Sequence, residues 1–457
     1  MSPRRKKFFS HLKKLAIFAL LYSITIGIVF AALLLTPHPI DGFGAVRVVI
    51  IFFTSVLLAK YLFYMIMSPL HDAMTAISQA YWKHKRPRYE PRVSILIPAW
   101  NEEVGIIHTV QSLVNNTYDN MEIVVVNDGS TDNSDAMMRE YVEGFNKKKF
   151  ETGTRKTVVY HYQENGGKGK ALNTAISFSG GEILISIDAD CFVKEDGIAN
   201  FVEHFRNPKV MAAVGNVRIG NTRTVIGLIQ YLEFLFSFYF KKADSVMNTI
   251  YIIGGAAGAF RRSIFEEMGG YNTKNITEDI ELSMRIQDKG MRVVYAHDVL
   301  VYTEGASDVR GLVKQRLRWK RGRFETFRDY MHMFLSLKKE HNKILCWVML
   351  PLAIFAELQL ILEFFFLTFL YIFSFITHDY TSFISGILVV SSMFFVQMLF
   401  DDKSTRKLSF FMLAPIAWLL FYTMTYVEAN ALVKSVWGFV RKQEVTWQKW
   451  TRAGVNG

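Results

Sequence analysis

Three hydrophobic patterns follow one another along the 457-residue chain. Residues 15–36 (LAIFALLYSITIGIVFAALLLT) carry no charge, and residues 45–66 form a second apolar run that holds only Arg47 and Lys60. At about 20 residues each, both are long enough to cross a bilayer as helices. A Pro/Gly turn (PHPIDG) joins them, where a signal peptide would show a small-residue cleavage site. From about Pro91 to Tyr330 short apolar runs alternate with polar, helix-like stretches. VSILIP (93–98), MEIVVVND (121–128), TVVYHY (157–162) and EILISID (182–188) read as strands, separated by helices over 102–115, 133–147 and 168–178. This alternation predicts a mostly parallel α/β sheet whose strands end on polar loops, where open sheets bind ligands. Apolar runs return at 344–376, 381–400 and 408–430.

The expected organisation is a transmembrane hairpin over 1–70, an α/β domain over 91–330, an interfacial helix with transmembrane helices over 331–440, and a basic cytosolic tail over 441–457. Glu357 and Glu363 in the first C-terminal run suit an interfacial or re-entrant helix followed by one span. The number of C-terminal spans stays open. The basic tail RKQEVTWQKWTR (441–452) favours the cytoplasm, whereas three simple crossings place it outside. Residues 224–242 (TVIGLIQYLEFLFSFYFKK) read equally as a helix on the membrane surface or as a core helix of the α/β domain.

Charge sharpens this picture. Lys and Arg number 53 against 41 Asp and Glu, a net +12 that suits nucleic acid, an anionic membrane surface or phosphorylated substrates. Arg4, Arg5, Lys6, Lys7, Lys13 and Lys14 precede the first apolar run, and Lys83, Lys85, Arg86, Arg88 and Arg92 follow the second. The joining loop has no Lys or Arg, so the positive-inside rule puts both ends of the hairpin, and the domain that follows, in the cytosol of a multi-pass protein of the cell membrane. The flanks fit a lipid bilayer and not nucleic acid. A composition 51% hydrophobic with 10 Pro excludes disorder, and two distant cysteines, Cys191 and Cys346, give no disulfide framework or zinc site.

Chemistry gathers at the predicted strand ends. ILISIDADC (183–191) ends an apolar strand on Asp188 and Asp190. Alternate residues of an extended chain face the same way and can share a divalent cation, although an exposed turn also accepts this pattern. VVVNDGSTD (124–132) offers Asn127, Asp128 and Ser130 to a base and ribose, or builds an ordinary turn. NGGKGKALN (165–173) opens a helix with Lys168 and Lys170, an arrangement that invites phosphate without being a Walker loop. In NITEDIELSMRIQDKG (275–290) Thr277 stands as a helix N-cap, and Glu278, Asp279 and Glu281 suit the first turn electrostatically. One of these carboxylates can instead serve as a general base. VKQRLRWKRGRFETF (313–327) sets Lys314, Arg316, Arg318, Lys320, Arg321 and Arg323 around Trp319, as a juxtamembrane anchor or a pyrophosphate clamp.

Taken in order, PAWNEE (98–103), NDGSTD (127–132), DAD (188–190), TED (277–279) and QRLRW (315–319) resemble the processive family 2 glycosyltransferases, which include cellulose, chitin, hyaluronan and poly-N-acetylglucosamine synthases. The resemblance covers nearly the whole chain and is nearest to the bacterial poly-N-acetylglucosamine synthases. It implies a GT-A, Rossmann-like cytosolic domain between N- and C-terminal transmembrane helices. It also implies a UDP-sugar donor, UDP-N-acetylglucosamine in the first instance, Mg2+ or Mn2+, and a growing polysaccharide acceptor, with room for a small membrane partner subunit. Residue by residue, it assigns Ala99, Glu102 and Asp128 to the uridine, Lys168 or Lys170 to the nucleotide, and Asp188 to the ribose and diphosphate, with Asp190 as metal ligand beside it. Asp279, next to Glu278, becomes the base; Gln315, Arg318 and Trp319 form the diphosphate and acceptor end; and Gly255, in GGAAGAF (254–260), contacts the terminal sugar. Asn127 stands where many relatives carry an acidic residue, and Trp100 replaces a common Tyr. The implied activity is inverting, β-linked polymerisation with export. Alternatives are another β-glycan synthase, a non-processive transferase acting on a lipid carrier, and an inactive membrane binding protein.

Overall fold

A computed structural model describes residues 44–378 and 414–441, with a few isolated positions elsewhere. Along the chain run α1 (Gly44–Lys85), β1 (Val93–Ala99), α2 (Ile106–Val114), β2 (Met121–Asp128), α3 (Ser134–Thr152), β3 (Thr157–Gln163), α4 (Lys168–Ser177), β4 (Ile183–Ser186), β5 (Phe192–Val193) and α5 (Gly197–Phe205). They are followed by β6 (Val210–Ile219), α6 (Val225–Met247), β7 (Gly258–Arg261), α7 (Arg262–Met268), α8 (Glu278–Asp288), β8 (Arg292–Thr303), α9 (Val309–Asp329), α10 (Leu350–Thr377) and α11 (Ala417–Val440). The strands form one eight-stranded sheet in the order β3-β2-β1-β4-β7-β6-β8-β5.

β1, β2 and β4 are buried along nearly their whole length, as Val/Ile/Leu runs covered on both faces must be. They are parallel, with Val93 opposite both Met121 and Ile183. That register brings the loops after β1, β2 and β4 out at one edge of the sheet. β7 pairs antiparallel with β4 and β6, while β6 and β8 are parallel, so the sheet is mostly parallel but mixed. The expected fourth strand is cut short: β4 stops at Ser186, opposite Leu96 and Gly258. Ile187 still donates its N–H to the Leu96 carbonyl, and the chain then turns, with Cys191 N bonded to Asp188 O. Asp188 and Asp190 therefore sit in a turn, not on extended chain.

By packing, the chain divides into one unit of Met1–Thr75, Tyr239–Val246 and Leu352–Asn430 and a second of Ala76–Phe238, Met247–Pro351 and Ala431–Gly457. The second contains the whole sheet. Within it the first part of α6 buries Ile229, Leu232, Leu235 and Phe238, and Phe238 lies 6.1 Å from the ring of Tyr295 in the core. This stretch packs as a core helix. Inside the first unit, the Tyr64 hydroxyl of α1 donates to Asp244 at 2.9 Å and Lys242 donates to Asp72 at 2.8 Å. A π-helical turn, Leu345–Met349, leads directly into α10, so the run expected as an interfacial or re-entrant helix followed by a span is helical without a break. Among the described residues, one helical stretch, Leu345–Glu363, is long and apolar enough to cross a membrane. Most of the runs 15–36 and 381–400 and the tail from 442 onward lie outside the described residues, as do the side chains of 45–62.

One polar device is built into the buried sheet. Glu122 of β2 accepts hydrogen bonds from the Ser94 hydroxyl, the Gly180 N–H and the Arg92 guanidinium. Burial works against its charge, but these donors prevail and hold the carboxyl below its ordinary pKa. A depressed carboxylate contributes stability above its unfolded pKa, about 4.3, and that contribution is lost as pH falls through the folded value. Glu122→Gln is therefore expected to lower the unfolding temperature of the purified full chain at pH 7. The gap from the unsubstituted protein should narrow below about pH 4.

Candidate active site

The loops after β1 and β2 are stitched together by short polar side chains. Ala99 lies opposite Asn127 at the ends of β1 and β2. Asn101 has a left-handed φ of 54°, which Asn tolerates better than most residues. Its N–H donates to the Ser130 hydroxyl at 2.8 Å, and its side-chain oxygen accepts from Thr131 N at 2.7 Å. Glu102 is buried, with its N–H on the Ser134 hydroxyl at 2.9 Å. Asn127 donates to the Tyr160 hydroxyl at 2.9 Å and accepts from Ser130 N at 2.9 Å, so its amide holds the loop.

Asp128 does not face outward. Its carboxylate accepts from Gln163 Nε2 at 2.7 Å, Gly166 N at 2.9 Å and Gly167 N at 2.8 Å. The backbone donors read from sequence as a phosphate cradle are thus directed at Asp128. Gly129, at φ 70°, permits the approach, since a Cβ there would stand 2.7 Å from Asn165 N.

Held by that anchor, α4 aims Lys168 at the turn after β4. Its ammonium lies 2.5 Å from Asp188 Oδ1 and 3.5 Å from Glu278 Oε1. Burial opposes the Lys168 charge, but Asp188, Glu278 and Asp279 overcome it and raise its pKa. Glu278 is itself pushed up by burial, with Asp279 adding and with Lys168 and Arg318 opposing. Asp279 accepts from Gly255 N at 3.0 Å and from Ile280 N at 2.9 Å, one bond to each carboxylate oxygen. Gly255 borders both groups: a Cβ there would stand 2.6 Å from the Lys168 ammonium and 3.6 Å from Asp188 Oδ1. Lys170, two residues along the helix from Lys168, is exposed and lays its stem over Gly166, away from this cluster. Thr277 occupies the N-cap position of α8 without capping it through its side chain. Glu281 is structural, bonded to Arg285 and the Tyr330 hydroxyl.

Asp190 lies in the same turn, with the Thr303 hydroxyl at 3.4 Å from Oδ1 and Cys191 Sγ at 3.6 Å. Helix α2 braces the turn through Thr109 Oγ1, which donates to Ala189 O at 2.8 Å, and through Gly105, whose Cβ would meet Asp190 Cα at 3.3 Å. Burial pushes the Cys191 thiol well up, helped by Asp190 and Asp188, so it stays a thiol and not a soft thiolate ligand. Asp188, Asp190 and Thr303 offer oxygen donors only, the chemistry that suits Mg2+ or Mn2+ rather than a thiophilic metal.

Helix α9 closes the cluster. Gly322 packs directly on Thr277, which brings Arg318 within electrostatic reach of Glu278. Gln315 Oε1 is buried and accepts no hydrogen bond from the described residues. Trp319 lies 6.5 Å from the Phe234 ring and under the Arg316 guanidinium at 4.3 Å, while Arg316 is bonded to Glu233 at 2.9 and 2.6 Å. No sequence signal marks Glu233 or Thr303 as part of the site. Each meets its partner across about a hundred residues, and neither lies in a local motif.

An α/β domain with acidic and basic groups converging at the C-terminal strand edge defines a GT-A-like class. The chain matches the model of Glycosyl transferase family 2 over residues 94–269 and that of Glycosyl transferase family group 2 over residues 183–427. It belongs to the family 2 glycosyl transferases. It is similar to the poly-β-1,6-N-acetyl-D-glucosamine synthases of Staphylococcus epidermidis, at 30% identity, and Staphylococcus aureus strain COL, at 29%. Both matches extend over 241 residues, 52% of this chain and 56% of the relative. The chain thus spans about half the length of the curated relatives it matches. Its fold resembles that of a mannosyltransferase from Pyrobaculum calidifontis in complex with GDP-Man and Mn2+, with a TM-score of 0.50 and 21% identity over 82% of this chain and 99% of that one.

The contact of Gly322 with Thr277 is testable. Gly322→Ala should cost roughly 1–3 kcal/mol through overpacking and lower the melting temperature of the purified chain.

Proposed function

We propose that this chain is an inverting, processive glycosyltransferase that polymerises UDP-N-acetylglucosamine into a β-linked polysaccharide. The observation that carries the reading is the convergence of Lys168, Asp188, Glu278 and Asp279 beside Gly255, with Arg318 acting on Glu278, groups from four separate sequence motifs. The family membership and the similarity to the staphylococcal poly-β-1,6-N-acetyl-D-glucosamine synthases support the choice of sugar.

In this reading Ala99, Glu102 and Asp128 border the uridine, and the Asp128 contacts keep α4 in place below it. Lys168 exchanges part of its pairing with Asp188 for the donor diphosphate. Asp190 and Asp188 would hold a divalent ion, which would supply positive charge beside that diphosphate. Asp279 takes the proton of the acceptor hydroxyl as its oxygen bonds to the anomeric carbon; the bond from that carbon to the diphosphate breaks on the opposite face, and UDP departs. Arg318 stabilises the charge that develops on the leaving group. Trp319 offers its face to the acceptor sugar, and Gln315 turns its buried amide oxygen to a hydroxyl. The apolar segments at both ends carry the chain in the cell membrane with the α/β domain cytosolic, and the product leaves through them.

Three measurements test this. Asp279→Asn should reduce transfer by about 10²-fold or more while UDP binding is retained; unchanged turnover would remove Asp279 from the role of base. UDP should bind the purified protein more tightly with Mn2+ than with chelator, and Asp190→Ala should abolish that difference. Sizing the product decides between polymerisation and single-sugar transfer to a lipid carrier.

A further inference from the structure

We infer that Glu233 and Arg316 are positioning residues that fix the plane of the Trp319 indole, and through it the place where an acceptor sugar stacks. The inference rests on the proposed role of Trp319 as the acceptor end of the site. Arg316 belongs to α9, one turn from Trp319, and its side chain is 3% exposed. It reaches Glu233 of α6 through two nitrogens, Nη1 to Oε1 at 2.9 Å and Nη2 to Oε2 at 2.6 Å. A two-point bond between planar groups sets the orientation of the guanidinium, not only its location. That plane carries its Cζ 4.3 Å from the Trp319 ring centroid, close enough for a cation–π contact.

The next residue on α6, Phe234, meets the same indole at 6.5 Å with the rings inclined by 46°. Adjacent residues of one helix therefore hold Trp319, Phe234 directly and Glu233 through Arg316. One turn earlier, Gln230 bonds Ala306 through both its N–H and its carbonyl, at 3.0 and 2.9 Å. This contact comes just before Asp308, which caps α9 by accepting from Gly311 N. α6 thus registers α9 at its start, and the Glu233–Arg316 pair registers it at the tryptophan. The guanidinium occupies indole surface, so a sugar is confined to what the clamp and Phe234 leave open.

An ordinary interhelical ion pair would stabilise the same packing without touching catalysis, and charge reversal separates the two roles. With a β-linked N-acetylglucosamine oligosaccharide as acceptor, Arg316→Lys and Glu233→Gln should each raise the acceptor KM about tenfold and shorten the product, leaving UDP affinity near that of the parent protein. The double reversal Glu233→Arg with Arg316→Glu should restore the melting temperature but not the acceptor KM, because a carboxylate does not stack on indole. Restoration of both, or an unchanged KM in the two single variants, overturns the clamp. If Arg316→Lys fails to fold, Glu233→Gln alone decides. Trp319→Ala provides the separate control: an acceptor KM unmoved by it rejects Trp319 as the acceptor platform and leaves the ion pair without a catalytic object.

Discussion

The ammonium of Lys168 lets acidic groups from distant parts of the chain share one small space. Asp188 arrives from the turn after β4, and Glu278 and Asp279 arrive from the start of α8. Neighbouring carboxylates repel one another, and the buried Glu278 resists leaving water, so the cluster needs a cation in its midst. The protein supplies that cation on the first residue of α4, whose own position depends on the Asp128 carboxylate gripping the preceding glycine turn. A chain of charge and backbone contacts thus runs from β2 to the carboxylates that face the proposed chemistry.

The other supports are steric. Gly255 and Gly322 have no side chain at points where two elements approach more closely than a Cβ allows, the first beside Lys168 and the second against Thr277. Neither carries a left-handed φ, so the requirement is for space and not for backbone freedom. Through these approaches the loop before β7, the start of α8 and the middle of α9 form one wall. On the far side, α6 sets the depth and rotation of α9 through Gln230 and Glu233.

Local pattern alone established a good deal. Continuous Val/Ile/Leu runs of strand length, each closed by polar residues, mark β1, β2 and β4, because burial on both faces leaves few polar positions in them; the half-exposed edge strand β3 (TVVYHYQ) shows instead as a β-branched and aromatic run. The acidic first turn of α8 and the basic stretch of α9 were equally visible, since helix dipoles and charge density act over a few residues. The motifs in sequence order were sufficient to suggest the family.

What only the tertiary structure decided is which of these groups meet. Asp188 and Asp190 were expected on an extended strand, yet the register with β1 and β7 ends at Ser186 and puts them in a turn. The glycine-turn donors were assigned to a phosphate, yet they bind Asp128, a neighbour 38 residues away in the chain. Lys168 and Lys170 looked interchangeable until the helical period directed one to the carboxylates and the other to solvent. Arg316 is one cation among six in its stretch of sequence, and nothing local marks Glu233, 83 residues earlier, as its partner. Pairings of this kind are set by how sheet and helices pack, and a charge in sequence does not indicate which distant charge it will face.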